Sequence, residues 1–168
     1  MRENFFKRPT LVVARELLGC YLVRRWHGKE MGYMITETEA YNGFNDKASH
    51  AHRGKTKRNS VMFGRPGYFY VYLTYGMHYM LNIVTGEEGF PAAVLIRGVN
   101  GISGPGRLTK ALHIAKYQNK KPADKKIGLW VEDREVAVSP REIESTARVG
   151  IHYAEEWVEK PYRFLLKK

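Results

Sequence analysis

Residues 68–84 constrain the fold of this chain more than any other stretch. They read Tyr-Phe-Tyr-Val-Tyr-Leu-Thr-Tyr-Gly-Met-His-Tyr-Met-Leu-Asn-Ile-Val. Aromatic and β-branched side chains lose rotamer freedom against a helical turn but pack well on a pleated surface, so this run predicts strands. One strand covers Tyr68 to Leu73 and places Tyr68, Tyr70 and Tyr72 on one face; a second covers Tyr79 to Val84. Between them Gly76 supplies the backbone freedom for a turn, and Tyr75 falls beside it, where its ring is free to project. The tyrosine face is either a core surface or a stacking platform, and composition does not decide between them. Asn82, set among Leu81, Ile83 and Val84, is either a satisfied core amide or a group that reads the edge of a base.

The same logic extends along the chain. Pro9 and Thr10 open a helix over residues 9–18, whose apolar face carries Leu11, Val12, Leu17 and Leu18 and which Gly19 stops. Strands are predicted for Cys20 to Trp26, Gly32 to Tyr41 and Ala92 to Val99, with Thr85-Gly-Glu-Glu-Gly89 as a hairpin connection. Arg107 to Ile114 resembles a helix, and residues 129–138 read as one or two late strands. The expected architecture is α+β, a single domain over residues 1–168, built on a curved antiparallel sheet with a few surrounding helices. The loop from Asn42 to Gly67 is long and polar, which in one domain marks a functional or mobile segment.

Charge narrows the function. Between Lys47 and Lys121 there are twelve lysines and arginines against two acids, Glu87 and Glu88, while the rest of the chain holds sixteen bases and fifteen acids. A cationic block of this kind suits a polyanion. No run of about eighteen apolar residues spans a membrane, and the N-terminus lacks the apolar core of a secretory signal. The lone Cys20 makes no internal disulfide and fits a reducing, cytoplasmic setting. His50 and His52 lack further ligands at a metal-site spacing, so no metal is expected.

Alternation in the second strand puts Ile35, Glu37, Glu39 and Tyr41 on one face. Two acids and a tyrosine that lead into a basic loop suggest chemistry, because a carboxylate near positive charge stays ionised and can activate water. A solvent-facing edge with acids paired to lysines is the alternative. The loop itself, Lys47 to Asn59, is dense in phosphate donors, Arg58 among them.

Taken in order, the motifs resemble the alkyladenine (3-methylpurine) DNA glycosylase family. They are Glu37-Thr-Glu-Ala-Tyr41, Ala48-Ser-His50, Arg58-Asn59 with Met62-Phe63, Pro66-Gly67, Tyr70-Val-Tyr72 with Tyr75-Gly-Met77, Asn82, and Val94-Leu-Ile-Arg97. Ser103-Gly-Pro105 with Leu108, Ala111 and Leu112 follows, then Arg148-Val-Gly-Ile151, Ala154, Trp157, Lys160-Pro161 and Arg163-Phe164. Each is weak alone; the ordered set covers almost the whole chain.

The resemblance implies an enzyme that flips an alkylated or deaminated purine out of duplex DNA and hydrolyses its glycosidic bond. By that likeness Glu39, not Glu37, activates the water and Arg97 helps to place it. Tyr41, Tyr72 and His50 enclose the base, and Asn82 clashes with the exocyclic amine of guanine. Tyr75 fills the gap in the stack, with Met77 beside it, and Arg58 contacts the backbone. The bases implied are 3-methyladenine, 7-methylguanine, hypoxanthine and ethenoadenine, and the product is an abasic site. No cofactor is implied, and the partner is damaged double-stranded DNA, bound by a monomer that associates with the nucleoid when on DNA. Lys57, where proline is often seen, and His52 and His78 depart from the family pattern. A non-catalytic nucleic-acid-binding module is the alternative: it would use the basic block and the tyrosines equally well, but not Glu39.

Overall fold

One strand organises the molecule. In a computed structural model, which describes residues 1 and 3–167, strand β2 runs for fourteen residues, Lys29–Asn42. Its first half pairs with β1 (Tyr21–Trp26) and its second half with β5 (Ala92–Val99). β3 (Phe69–Thr74) and β4 (His78–Val84) form a hairpin that continues the sheet beyond β5, and β7 (Leu129–Glu132) continues it beyond β1. β6 (Ile102–Ser103) pairs with β5, while β8 (Ile143–Thr146) pairs with β9 (Arg163–Leu166). β9 lies along Glu37–Glu39 of β2, on the edge that β5 leaves free. All these pairings are antiparallel, and the nine strands form one sheet among the described residues.

The alternation expected of β3 and β4 holds. Phe69, Val71, Leu81 and Ile83 face one side, in a core with Phe6, Val13, Ala14, Leu17, Leu108 and Leu112. Those residues belong to or adjoin the helices α1 (Glu3–Phe6), α2 (Thr10–Glu16) and α3 (Pro105–Ala111), so the helices cover this face. Thr38 ties α2 to β2 by donating to the carbonyl of Ala14 at 2.8 Å. On the other face Tyr70, Val84 and Ala93 pack with Ala51, Val61 and Met62 of the segment between β2 and β3. Among the described residues no helix is long and apolar enough to cross a membrane.

Several boundaries differ from the sequence expectation. α2 stops at Glu16, and the chain turns through Gly19 at φ +88°. α3 starts at Pro105 rather than Arg107, because a proline at a first helical position loses no hydrogen bond and its φ already suits the helix; it ends at Ala111. Of the late strand region only Leu129–Glu132 is β, since the chain leaves the edge of β1 there and residues 133–139 have no strand to pair with.

The most consequential difference is in β2. Ile35 pairs with Val99, Glu37 with Gly98, Thr38 with Ile96 and Glu39 with Leu95. Thr36 is therefore an extra residue on β2 and Arg97 an extra residue on β5, and the two slips cancel. Each bulge reverses the parity of its strand. Ile35 consequently lies in the helix-covered core with Ala40, Val94 and Ile96, not on the face of Glu37, Glu39 and Tyr41 as strict alternation would have it.

The loop over residues 42–67 is folded onto the sheet. Asp46 receives a two-pronged ion pair from Arg148, at 2.6 and 2.8 Å, and both side chains are fully buried. Asp46 also accepts from the backbone N–H of Asn42 and Ala48. Arg148 donates as well to the carbonyl of Ala40. Removing either partner of such a buried pair strands a charge and costs about 3–5 kcal/mol. Further along, Asn59 donates to the carbonyls of His50 and Gly54 and accepts from the N–H of Thr56. This amide closes the loop.

Candidate active site

The compensating bulges deliver the carboxylates to the face opposite the helices. Glu39 is fully buried. One of its oxygens accepts from the Tyr41 hydroxyl at 2.9 Å and the other from the Val149 N–H at 2.8 Å, with Arg97 Nη1 3.5 Å from the latter. Burial pushes its pKa up, while Arg97, the Val149 N–H and the Tyr41 hydroxyl pull it back. Each carboxylate oxygen has two acceptor sites, so capacity remains for a water.

Glu37 serves differently. It accepts from Arg97 Nε at 2.8 Å and from Arg163 Nε, on β9, at 2.7 Å. Among the described residues Glu37 pairs with no lysine, and it is buried rather than on a solvent-facing edge: it orients the arginine that leans on Glu39. Arg97, as the extra residue of the β5 bulge, is aimed out of the ladder, as bulges beside functional sites commonly do.

A cleft of about 460 Å³ opens over these groups, within the range of small-ligand sites. Glu39, Tyr41, His50, Arg58, Tyr72, Tyr75 and Arg97 all line it. A smaller pocket of about 40 Å³ shares Tyr41, His50, Tyr72 and Tyr153 with this cleft and is lined as well by Tyr70, Met62, Ala48 and Asn82. The His50 and Tyr72 rings lie 4.6 Å apart at 67°. His50 Nδ1 meets the Tyr70 hydroxyl at 2.9 Å. Burial, helped by Arg58, lowers the His50 pKa to about 4, so the ring is neutral at pH 7. The Arg58 guanidinium sits over the Tyr72 ring, 5.1 Å from its centre, and donates to the Leu73 carbonyl. Asn82 is buried, donates to the Tyr70 carbonyl at 3.1 Å and lines the smaller pocket.

At the rim the β3–β4 hairpin turns through Tyr75 (φ +49°) and Gly76 (φ +67°), closed by the Met77 N–H donating to the Thr74 carbonyl. Two successive positive φ values make a type I′ turn, the form that matches the twist of paired strands. Tyr75 is 88% and Met77 71% exposed, so neither is a core residue. Of the departures from the family pattern, His52 Nδ1 bonds the Phe44 carbonyl, and His78 packs on Gly106 so closely that a Cβ there would meet its ring at 2.9 Å.

The structure thus brings together every expected site residue except Met77, which stays at the hairpin tip. Residues that sequence reasoning left without a role are Arg148, Val149, Tyr153 and Arg163. Arg148, Val149 and Arg163 fall in matched motifs, which was the only signal for them; Tyr153 falls between two. Among the described residues no three His, Cys, Asp or Glu side chains converge as metal ligands.

A profile of methylpurine-DNA glycosylases matches residues 4–102 and 100–168. A protein of Methanocella arvoryzae named "Putative 3-methyladenine DNA glycosylase" is 43% identical over 96% of this chain and 90% of its own. A Carboxydothermus hydrogenoformans protein of the same name is 44% identical over 98% and 94%. Another, from the Wolbachia of Brugia malayi, is 56% identical over 70% and 72%.

Proposed function

Because the chain belongs to the methylpurine-DNA glycosylase family and is therefore a DNA repair glycosylase, we propose that it excises alkylated purines from duplex DNA by a Glu39-activated water. The observation that carries this is a fully buried carboxylate, braced by an arginine, a backbone N–H and a tyrosine, at the inner wall of an aromatic cleft. Burying an acid is unfavourable even with an arginine 3.5 Å away, and a binding module would have no use for it.

A base inside a duplex is out of reach, so the target must leave the stack, at a cost of a few kcal/mol that damaged pairs lower. Tyr75 projects beside the cleft and is suited to fill the gap, while Tyr41, Tyr72 and His50 are suited to hold the extruded base. Glu39 takes a proton from water as the water oxygen bonds to C1′ of the sugar. The C1′–N bond breaks and its electron pair leaves with the purine. The sugar passes through an oxocarbenium-like state, which the nearby carboxylate also stabilises.

His50, neutral at pH 7, offers no imidazolium to protonate a leaving base. This favours purines that are already cationic, 3-methyladenine and 7-methylguanine, which depart without acid help. Hypoxanthine and ethenoadenine, being neutral, leave more slowly in this account. Among the described residues no lysine lines the cleft, which favours a monofunctional enzyme that leaves an abasic site and does not cut the strand.

The test uses DNA treated with dimethyl sulfate and duplexes with one hypoxanthine or ethenoadenine, followed by alkaline cleavage of abasic sites. Wild type releases 3-methyladenine fastest. Glu39→Gln slows release by about a hundredfold to ten-thousandfold, the usual worth of a general base. Release at the wild-type rate by Glu39→Gln would remove Glu39 from the chemistry.

A further inference from the structure

We propose that Tyr153 is the lid of the base pocket and sets the size of purine the pocket admits, an inference that rests on the base-excision function proposed above. The inner pocket, at about 40 Å³, has room for water but falls well short of a purine ring system. Something must move before a base can enter it and meet Asn82. Of the residues around it, Ala48, Met62, Tyr70 and Asn82 are buried in the sheet or the loop packed on it. Tyr41 is held by Glu39 and His50 by Tyr70. Tyr72 lies under the Arg58 guanidinium.

Tyr153 differs from all of these. It is 64% exposed, and among the described residues its side chain makes one hydrogen bond, a long one, 3.2 Å from its hydroxyl to the Ala48 carbonyl. Like His50, it borders the inner pocket, the catalytic cleft and a third, basic cleft of about 440 Å³ lined also by Lys47, Ser49, His52 and Arg53. Tyr153 and His50 are the two residues common to all three, and of the two His50 is tied to the Tyr70 hydroxyl at 2.9 Å while Tyr153 holds only the longer bond to Ala48. The backbone beneath it is fixed: Ile151 and Ala154 are buried against Ala48, and Lys47 clasps Glu155 and Glu156 at 2.6 and 2.8 Å. The movement needed is a rotation of one exposed side chain, fast on the scale of turnover, and not a loop opening. Latched on Ala48, the ring limits the depth of the pocket; swung outward, it joins the inner pocket to the basic cleft.

The test compares Tyr153→Ala and Tyr153→Phe with wild type on two bases that differ in size. One is 3-methyladenine in dimethyl sulfate-treated DNA. The other is ethenoadenine, which carries an additional fused ring. Trimming the lid to Ala raises the ethenoadenine to 3-methyladenine ratio of kcat/KM by about tenfold or more, the usual scale for relieving a pocket of excess bulk. Tyr153→Phe keeps the ring and restores a ratio within about twofold of wild type. Thermal melting of both variants stays at the wild-type value, because the side chain is on the surface. An unchanged ratio in Tyr153→Ala, or equal losses on both bases with lowered melting, overturns the lid while leaving the excision function intact. If wild type releases neither base, the proposed function falls and the lid falls with it.

Discussion

At the residue scale the central fact is a carboxylate kept where it is least comfortable. Burial holds the Glu39 pKa above its ordinary 4.5. A raised pKa in the folded state means that the protonated form is favoured by folding. Its stabilising contribution is full below pH 4.5 and is lost as pH rises through the folded value. Above the folded value the ionised Glu39 therefore destabilises the fold, and there Glu39→Gln melts higher than wild type. Each ~1 kcal/mol relieved raises Tm by about 2–4 °C in a chain of this size. The gap closes as pH is taken towards 4.5 and below; a constant gap across that range would show that the charge is not the cause. The same shift places the acid limb of the kcat/KM profile above pH 4.5. Asn82 carries a second prediction. Its amide is tied to the Tyr70 carbonyl and cannot swing away from an incoming base. Asn82→Ser makes room for the exocyclic amine of guanine, and slow release of guanine from undamaged duplex appears. A variant that still ignores guanine while releasing 3-methyladenine would relieve Asn82 of that selective role.

At the element scale the β3–β4 turn concentrates backbone strain at the residue proposed as the wedge. Tyr75 occupies a left-handed backbone conformation that a bulky side chain adopts only at a cost of about 1–3 kcal/mol. Asparagine tolerates that conformation, and Asn-Gly is a preferred pair for a type I′ turn. Tyr75→Asn should therefore raise Tm by a few degrees while reducing excision from duplex DNA. Stacking of an aromatic ring on a base is worth about 1–3 kcal/mol, so excision from a duplex falls by roughly tenfold, and less from single strands, where no stack needs filling. Equal losses on both substrates would mean that Tyr75 does not act as a wedge. The paired bulges of β2 and β5 show the same coupling of local irregularity to function: they leave the register intact on either side yet turn Glu37, Glu39 and Arg97 onto one surface.

At the scale of the whole molecule, the formal charge of +11 overstates what is free to meet DNA. Within the basic block Arg97 is engaged by Glu37, Lys47 by Glu155 and Glu156, and Arg65 by Glu3. If about five of the remaining cations neutralise phosphates, log affinity falls against log salt with a slope near −4.5. Arg58→Glu weakens binding to damaged and undamaged duplex alike and makes the slope shallower. Salt titrations by fluorescence anisotropy measure both, and an affinity independent of salt would overturn this electrostatic account.

Periodicity and composition sufficed for the strands that carry the site. β3, β4 and β5 are dense enough in aromatic and β-branched residues that local preference and tertiary demand coincide, and the ordered motifs singled out Glu39, Tyr41, His50, Tyr72, Asn82 and Arg97. β8 and β9 escaped notice because each is four residues long and β8, Ile-Glu-Ser-Thr, carries no alternating apolar face of its own. The displaced parity of Ile35 escaped for a different reason. A bulge arises only when two strands pair, and neither β2 nor β5 alone marks where Thr36 or Arg97 will be left over. The partners of the buried charges lie further still from local reading: Arg148 reaches Asp46 across 102 residues and the Val149 N–H reaches Glu39 across 110. Sequence determined which side chains were available and which of them tend to lie in strands. Only the tertiary structure decided which acid is buried beside a braced arginine and which merely orients it, because desolvation and hydrogen-bond geometry are properties of the assembled surroundings and not of any segment.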